Sequence, residues 1–234
     1  MATREAADVP PEGPALTEAS PLTSSQIARL RPLGRSFYAR PSTAVARDLL
    51  GRWFVRRLPG ATLVGRVVEC EAYQDDDPAS HSYRGLTART EVMFGPPGHL
   101  YVYFTYGMHF CMNVVTGREG EGSAVLLRAA EPLAGIELMR QLRGGAVDRM
   151  LCSGPARLTQ SLAIGRHHNG LDLVAGRELF LARGAPIPDD RVGTGPRVGI
   201  SLGRDRPWRF FDERSRFVSP GPRPAPPARS GGRG

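Results

Sequence analysis

From residue 41 onward the apolar positions first follow a helical period. Pro41-Ser42-Thr43 precedes Val45, Leu49 and Leu50 on one side, and Gly51 follows. This predicts a short amphipathic helix stopped at the glycine. The period then changes to two. Trp53–Leu58 and Ala61–Tyr73 read as strands joined by the Pro59-Gly60 turn, and a polar, glycine-containing loop follows over residues 74–98. Residues 100–106 and 108–115 form two aromatic-rich strands hinged at Gly107, and 124–129 is a short apolar strand. Pro132 is expected at the start of a helix whose Leu133, Ile136, Met139 and Leu142 share a face. Ser153-Gly154-Pro155 opens another helix that ends near Gly165. Residues 173–175, 178–182 and 197–201 read as further short strands. Hairpins interspersed with helices, without a glycine-rich strand-to-helix turn, predict an α+β fold.

The flanks differ from this patterned centre. Residues 1–32 are rich in Pro, Ala and Glu without periodicity, and residues 219–234 in Pro, Gly and Arg. Both are expected to be disordered tails around one domain over 33–218. No apolar stretch approaches the ~20 residues of a membrane span, and no secretory signal is legible at the start. Three scattered cysteines, Cys70, Cys111 and Cys152, suggest neither a disulfide framework nor a metal knuckle, so a cytoplasmic setting is expected.

Charge narrows the function. The net charge is +8, and every basic residue is arginine. The acidic N-terminal and basic C-terminal segments cancel, so the central body holds the whole surplus. Guanidinium groups suit phosphate geometry, and nucleic acid is the first partner to consider.

Three segments carry candidate chemistry. On the strand Ala61–Tyr73, alternation puts Leu63, Val67, Glu69, Glu71 and Tyr73 on one face. That face is either a solvated edge or a partly desolvated carboxylate pair needing a nearby arginine, for which Arg128 is the natural candidate. In 101–113, Tyr101 and Tyr103 share one face, Val102 and Phe104 the inward one, and Tyr106 stands at the turn. This is either a core strand pair or a wedge for the minor groove. His81 lies in a turn-rich loop without the context of a hydrolase triad. Asp75-Asp76-Asp77 reads as a solvated turn before a cation site, and His167-His168 as a surface turn before a metal pair.

Val68-Glu69-Cys70-Glu71-Ala72-Tyr73, Pro78-Ala79-Ser80-His81, the run 101–113, Leu126-Leu127-Arg128-Ala129 and Leu151-Cys152-Ser153-Gly154-Pro155 together resemble the alkyladenine (3-methyladenine) DNA glycosylase family, in the same order over about residues 37–218. The resemblance implies a single domain around a curved, mainly antiparallel sheet with flanking helices and a protruding hairpin that enters DNA. It implies that Glu71 is the catalytic carboxylate, Arg128 its water-binding partner, and Glu69 structural only. Tyr73, His81, Tyr103, Asn113 and Val198 would form the base pocket. Tyr106 and Met108 would intercalate, and Ser153, Gly154 and Arg157 would bind phosphate. The implied partner is double-stranded DNA with damaged purines, met by a monomer associated with the nucleoid, with no cofactor and no metal. Tyr83, where a smaller residue is expected, would reshape the loop beside His81. The rival readings are a DNA-binding protein that has lost catalysis, and a metal-dependent nuclease.

Overall fold

The computed structural model describes residues 22–221. Most of each expected tail therefore lies outside the described residues. The inner edges of both tails, however, are built into the domain. Helix α1 (Ser24–Ala28) is closed by a Thr23–Gln26 capping box, and Leu30 is buried with Val55, Val64, Leu133 and Phe180. At the other end Ser219 is buried. The ordered domain is wider than 33–218.

Among the described residues, eight antiparallel strands form one sheet: β1 (Trp53–Leu58), β2 (Ala61–Tyr73), β3 (Leu100–Thr105), β4 (His109–Thr116), β5 (Ser123–Ala134), β6 (Leu179–Ala182), β7 (Val192–Gly195) and β8 (Arg209–Asp212). Their order is β3-β4-β5-β2-β1-β6, with β8 pairing both β2 and β7. The long strand β2 is central. It pairs with β5 on one side, and on the other with β1 and then β8. Helices α2 (Arg35–Tyr38), α3 (Ser42–Leu49), α4 (Ile136–Leu142), α5 (Asp148–Leu151) and α6 (Pro155–Ser161) complete the fold. Val45, Ala46 and Leu49 from α3, Met139 from α4, and Leu158 from α6 join Leu63, Val67, Leu127 and Met112 in the main core. This is the α+β architecture that the sequence pattern predicts.

Four local expectations fail. Residues 132–134 continue β5, and the helix begins only after Gly135, whose φ of 70° makes the corner. Pro132 lies opposite Gly65 beside a register irregularity, where a missing N–H is tolerated. The helix opened by Pro155 stops at Ser161, short of Gly165. Residues 173–175 contribute no strand; only their neighbour Asp172 bridges, to His99. Residues 197–201 form a loop, turned by Gly199 at φ 77°. The strands that follow β6 are β7 and β8, too short for their alternation to stand out.

Candidate active site

Simple alternation along β2 also fails, and the failure builds the site. Val67 and Cys70 both enter the helix-covered core, as do Leu127 and Ala130 on the facing strand. Register irregularities fall between Val67 and Glu69 and between Glu69 and Cys70. Two offset bulges therefore leave Val68 and Arg128 without partners in register, and turn Glu69 and Arg128 to the side away from the helices. Bulges commonly re-aim side chains in this way beside active sites.

Beyond the bulges the strands alternate regularly. Leu100, Val102, Met112, Val114, Val125 and Ala72 pack under the helices. The residues between them face a cavity of about 470 Å³ lined by Tyr73, Tyr101, Tyr103, Asn113, Leu126 and Arg128, among others. Register makes one cross-strand row over five strands. Tyr101 lies opposite Asn113, Asn113 opposite Leu126, Leu126 opposite Glu71, and Glu71 opposite Arg209.

Glu71 is fully buried at the base of this wall, not on a solvated edge. The backbone N–H of Val198 donates to Oε1 at 2.7 Å, and the Tyr73 hydroxyl donates to Oε2 at 2.9 Å. Arg128 Nη1 stands 3.3 Å from Oε1. Burial pushes the Glu71 carboxyl above its ordinary value. Arg128, the Val198 N–H and the Tyr73 hydroxyl oppose that push, and Glu69 adds to it. Burial also raises Tyr73, which stays a donor.

Two loops wall the cavity. Pro78, Ala79, Ser80 and His81 form one side, and residues 198–202 the other. A buried Arg197–Asp77 ion pair staples them together. Arg197 also donates to the Ala72 carbonyl at 3.0 Å and lies 4.6 Å from the centre of the Tyr73 ring. Asp77 is thus fully committed, and Asp76 pairs with Arg206. His81 Nδ1 is 3.0 Å from the Tyr101 hydroxyl. Burial, helped by Arg89, pulls its pKa down to about 4, so the ring is neutral near pH 7. Its edge touches Tyr103 at 4.5 Å between centroids. A flat ring held between two others needs about 7 Å between them. A base bound between His81 and Tyr103 therefore requires His81 to move aside. Tyr83 points outward, 55% exposed, and does not line the cavity.

The β3–β4 hairpin projects past this wall. Tyr106 has φ 51° and Gly107 φ 67°, and the Met108 N–H bonds to the Thr105 carbonyl at 3.3 Å, as in a tight hairpin turn with two left-handed residues. A tyrosine in that region is strained. Tyr106 is 82% exposed and Met108 69%. Phe104, expected inside, is also exposed and leans on Phe110 at 5.0 Å, because the tip lies beyond the helix-covered core. The Thr159 hydroxyl donates to the Phe110 carbonyl at 2.8 Å and anchors the hairpin base.

The remaining expected residues flank the cavity. Asn113 Nδ2 donates to the Tyr101 carbonyl at 3.3 Å. Pro155 lies on the cavity rim, next to Ser153 and Gly154. Arg157 folds back there, with Nη1 donating to the Ser153 hydroxyl at 3.1 Å and its carbonyl at 3.2 Å. His168 is buried, not at the surface, and Asn169 Oδ1 accepts from the Val102 N–H at 2.9 Å. Sequence reasoning missed Arg209 and Arg197, and it placed Asp77 in a solvated turn and Ser219 in a tail, whereas both are buried. Buried arginines on short or irregular segments were the available signal.

Among the described residues no helix is long and apolar enough to cross a membrane, and no group of three or more His, Cys, Asp or Glu side chains is arranged to hold a metal ion. The family model for methylpurine-DNA glycosylase matches residues 36–216. Similar proteins carry the name "Putative 3-methyladenine DNA glycosylase". That of Carboxydothermus hydrogenoformans is 52% identical over 187 residues, covering 80% of this chain and 98% of its own. The Streptomyces avermitilis protein is 53% identical over 194 residues (81% and 91%), and that of Chlorobaculum tepidum 46% over 200 (83% and 95%). A buried carboxylate beneath an aromatic cavity, a hairpin with an exposed aromatic tip, and matches that span the sheet carrying both lead to one assignment: the chain belongs to the methylpurine-DNA glycosylase family.

Proposed function

We propose that the protein is a monofunctional, monomeric DNA glycosylase of base excision repair. It turns alkylated or deaminated purines such as 3-methyladenine, ethenoadenine and hypoxanthine out of duplex DNA and hydrolyses the bond from base to sugar. The observation that carries this reading is Glu71, a carboxylate removed from bulk water and held by Arg128, the Val198 N–H and the Tyr73 hydroxyl at an aromatic cavity.

A base inside a duplex cannot be reached at its glycosidic bond, so it is extruded at a cost of a few kcal/mol, least for a damaged base. Tyr106 fills the vacated space in the stack, with Met108 beside it. The base lies between Tyr103 and the Tyr73–His81 side once His81 has moved, with its purine edge at Asn113 and its rim at Val198. Ser153, Gly154 and Arg157 meet the backbone phosphate. Glu71 takes a proton from the attacking water while its charge favours the oxocarbenium-like sugar, as carboxylates do in glycoside hydrolysis. A cationic alkylpurine leaves without strong acid assistance. The chain contains no lysine, and a Schiff-base lyase step needs an amine; hydrolysis to an intact abasic site is the expected outcome.

The test is incubation with duplexes bearing ethenoadenine, hypoxanthine or 3-methyladenine, followed by alkaline cleavage at abasic sites. Strand breaks only after alkali, undiminished in chelator, are expected. Lesion binding without base release would favour the rival reading of a binding protein that has lost catalysis. Loss of activity in chelator would favour the nuclease reading.

A further inference from the structure

Behind Glu71 lies a second, fully buried carboxylate with no task in the reaction above. Glu69 Oε1 accepts from Arg209 Nε at 2.7 Å, from Arg128 Nε at 2.9 Å and from the Ser219 hydroxyl at 2.9 Å. Its Oε2 accepts from the Ser219 N–H at 2.7 Å. The same Ser219 hydroxyl accepts from Arg128 Nη2 at 3.1 Å. Arg128 is therefore gripped at Nε by Glu69 and at Nη2 by Ser219, while Nη1 faces Glu71 at 3.3 Å. A guanidinium is planar and rigid, so two anchored nitrogens define where the third points.

We infer that Ser219, acting with Glu69 and Arg209, is a positioning residue of the hydrolytic site: it fixes the roll of the Arg128 guanidinium so that Nη1 stays against Glu71. Charge balance alone does not explain the arrangement. Arg209 already pairs with Glu69, and Ser219 adds no charge; what it adds is direction. Without its hydroxyl, Arg128 keeps the close Glu69 contact at 2.9 Å and the longer Glu71 contact at 3.3 Å but loses the second anchor that fixes its roll, and it turns toward Glu69, away from Glu71. The other titratable groups that act on Glu71 are the Glu69 carboxylate, which pushes it upward, and four neutral ones: Cys70 and Tyr73 on its own strand, Tyr103 on β3 and Cys111 on β4, of which Tyr73 alone donates to it. Arg128 is the cation whose placement sets the charge on Glu71. This inference rests on the glycosylase reading and adds the device that holds its carboxylate ready.

The test compares wild type, Ser219→Ala and Ser219→Thr. Single-turnover base release is followed at saturating enzyme from about pH 5 to pH 9, on whichever of the hypoxanthine or ethenoadenine duplexes the wild type cleaves. Ser219→Ala is expected to bind the lesion duplex like wild type, to release base roughly threefold to tenfold more slowly near neutrality, and to move the acid limb upward by about half a pH unit. Ser219→Thr, which keeps a hydroxyl, is expected to return the limb to its original place. Circular dichroism of each variant across the same pH range fixes the fraction folded at every point, and the limb is read from the rate per folded molecule, so a destabilised variant still answers. An unmoved or lowered limb in Ser219→Ala, or a shift that Ser219→Thr does not reverse, would overturn the positioning role. Absence of release by the wild type itself would instead overturn the glycosylase reading.

Discussion

The two faces of strands β2 to β5 are made from alternate residues of the same segments, yet they obey opposite rules. On the helix side, Leu100, Met112, Val114, Val125 and Leu127 meet other alkyl groups, and removing water is favourable throughout. On the other side, Glu69, Glu71 and Arg128, joined by Arg209 from the adjoining β8, are also buried, and there removal of water is costly unless every charge finds a partner. One face stabilises the molecule. The other tolerates burial because its charges are held by neighbours placed to atomic precision, and that placement is the reactive device. Adjacent residues, one on each face, should therefore fail in different ways when altered.

The sharpest test of this contrast is Glu71→Gln. Base release should drop by about 10²- to 10⁴-fold, with a melting temperature close to wild type and lesion binding retained. Normal release would end the assignment of the base. On the opposite face, Leu127→Ala should cost about 2–5 kcal/mol of stability through lost burial and a cavity, read as a shift in denaturant or thermal midpoint. Its rate per folded molecule should stay within about threefold of wild type, since a factor of ten in rate is already 1.4 kcal/mol of barrier. A large rate loss would mean that the faces are not separable.

A smaller effect is expected from pH. Glu71 acts ionised and burial raises its pKa, so release should rise with pH through a midpoint above the usual carboxylate value. His81 takes its proton only near about 4, below that limb. A midpoint at or below the value of an exposed glutamate would show that Arg128 outweighs burial. The smallest effect concerns the hairpin tip. Tyr106→Gly should weaken lesion capture yet stabilise the free protein by up to about 1 kcal/mol, because glycine adopts the left-handed turn without strain. A destabilised glycine variant would mean that the ring packs on its own hairpin.

Much of the cavity face was legible in the sequence. Tyr73, Tyr103, Asn113 and Arg128 stand on strands whose period of two, or whose family motif, separates them from the core. The bulges at Val67–Cys70 were not legible, because a strand with one extra residue still alternates locally on either side of it, and the predicted face of Val67 was wrong as a result. The ion pairs were not legible either. Arg209 and Ser219 reach Glu69 across 140 and 150 residues of chain, and Arg197 reaches Asp77 across 120. No local periodicity encodes such a meeting. Short strands and turns, such as β7, β8 and the loop after Gly195, carry too few residues for a pattern to emerge.

The row from Tyr101 through Asn113, Leu126 and Glu71 to Arg209 has a consequence for how such a site can diversify. Sliding β4 by a single residue would put Met112 or Val114 where Asn113 stands, and would send Asn113 under the helices. Insertions and deletions within these strands are thus all-or-nothing events. New lesion preferences can arise by exchanging side chains along the row, or by recontouring the two loops that Arg197 and Asp77 clamp together, while the lattice of strands itself stays frozen.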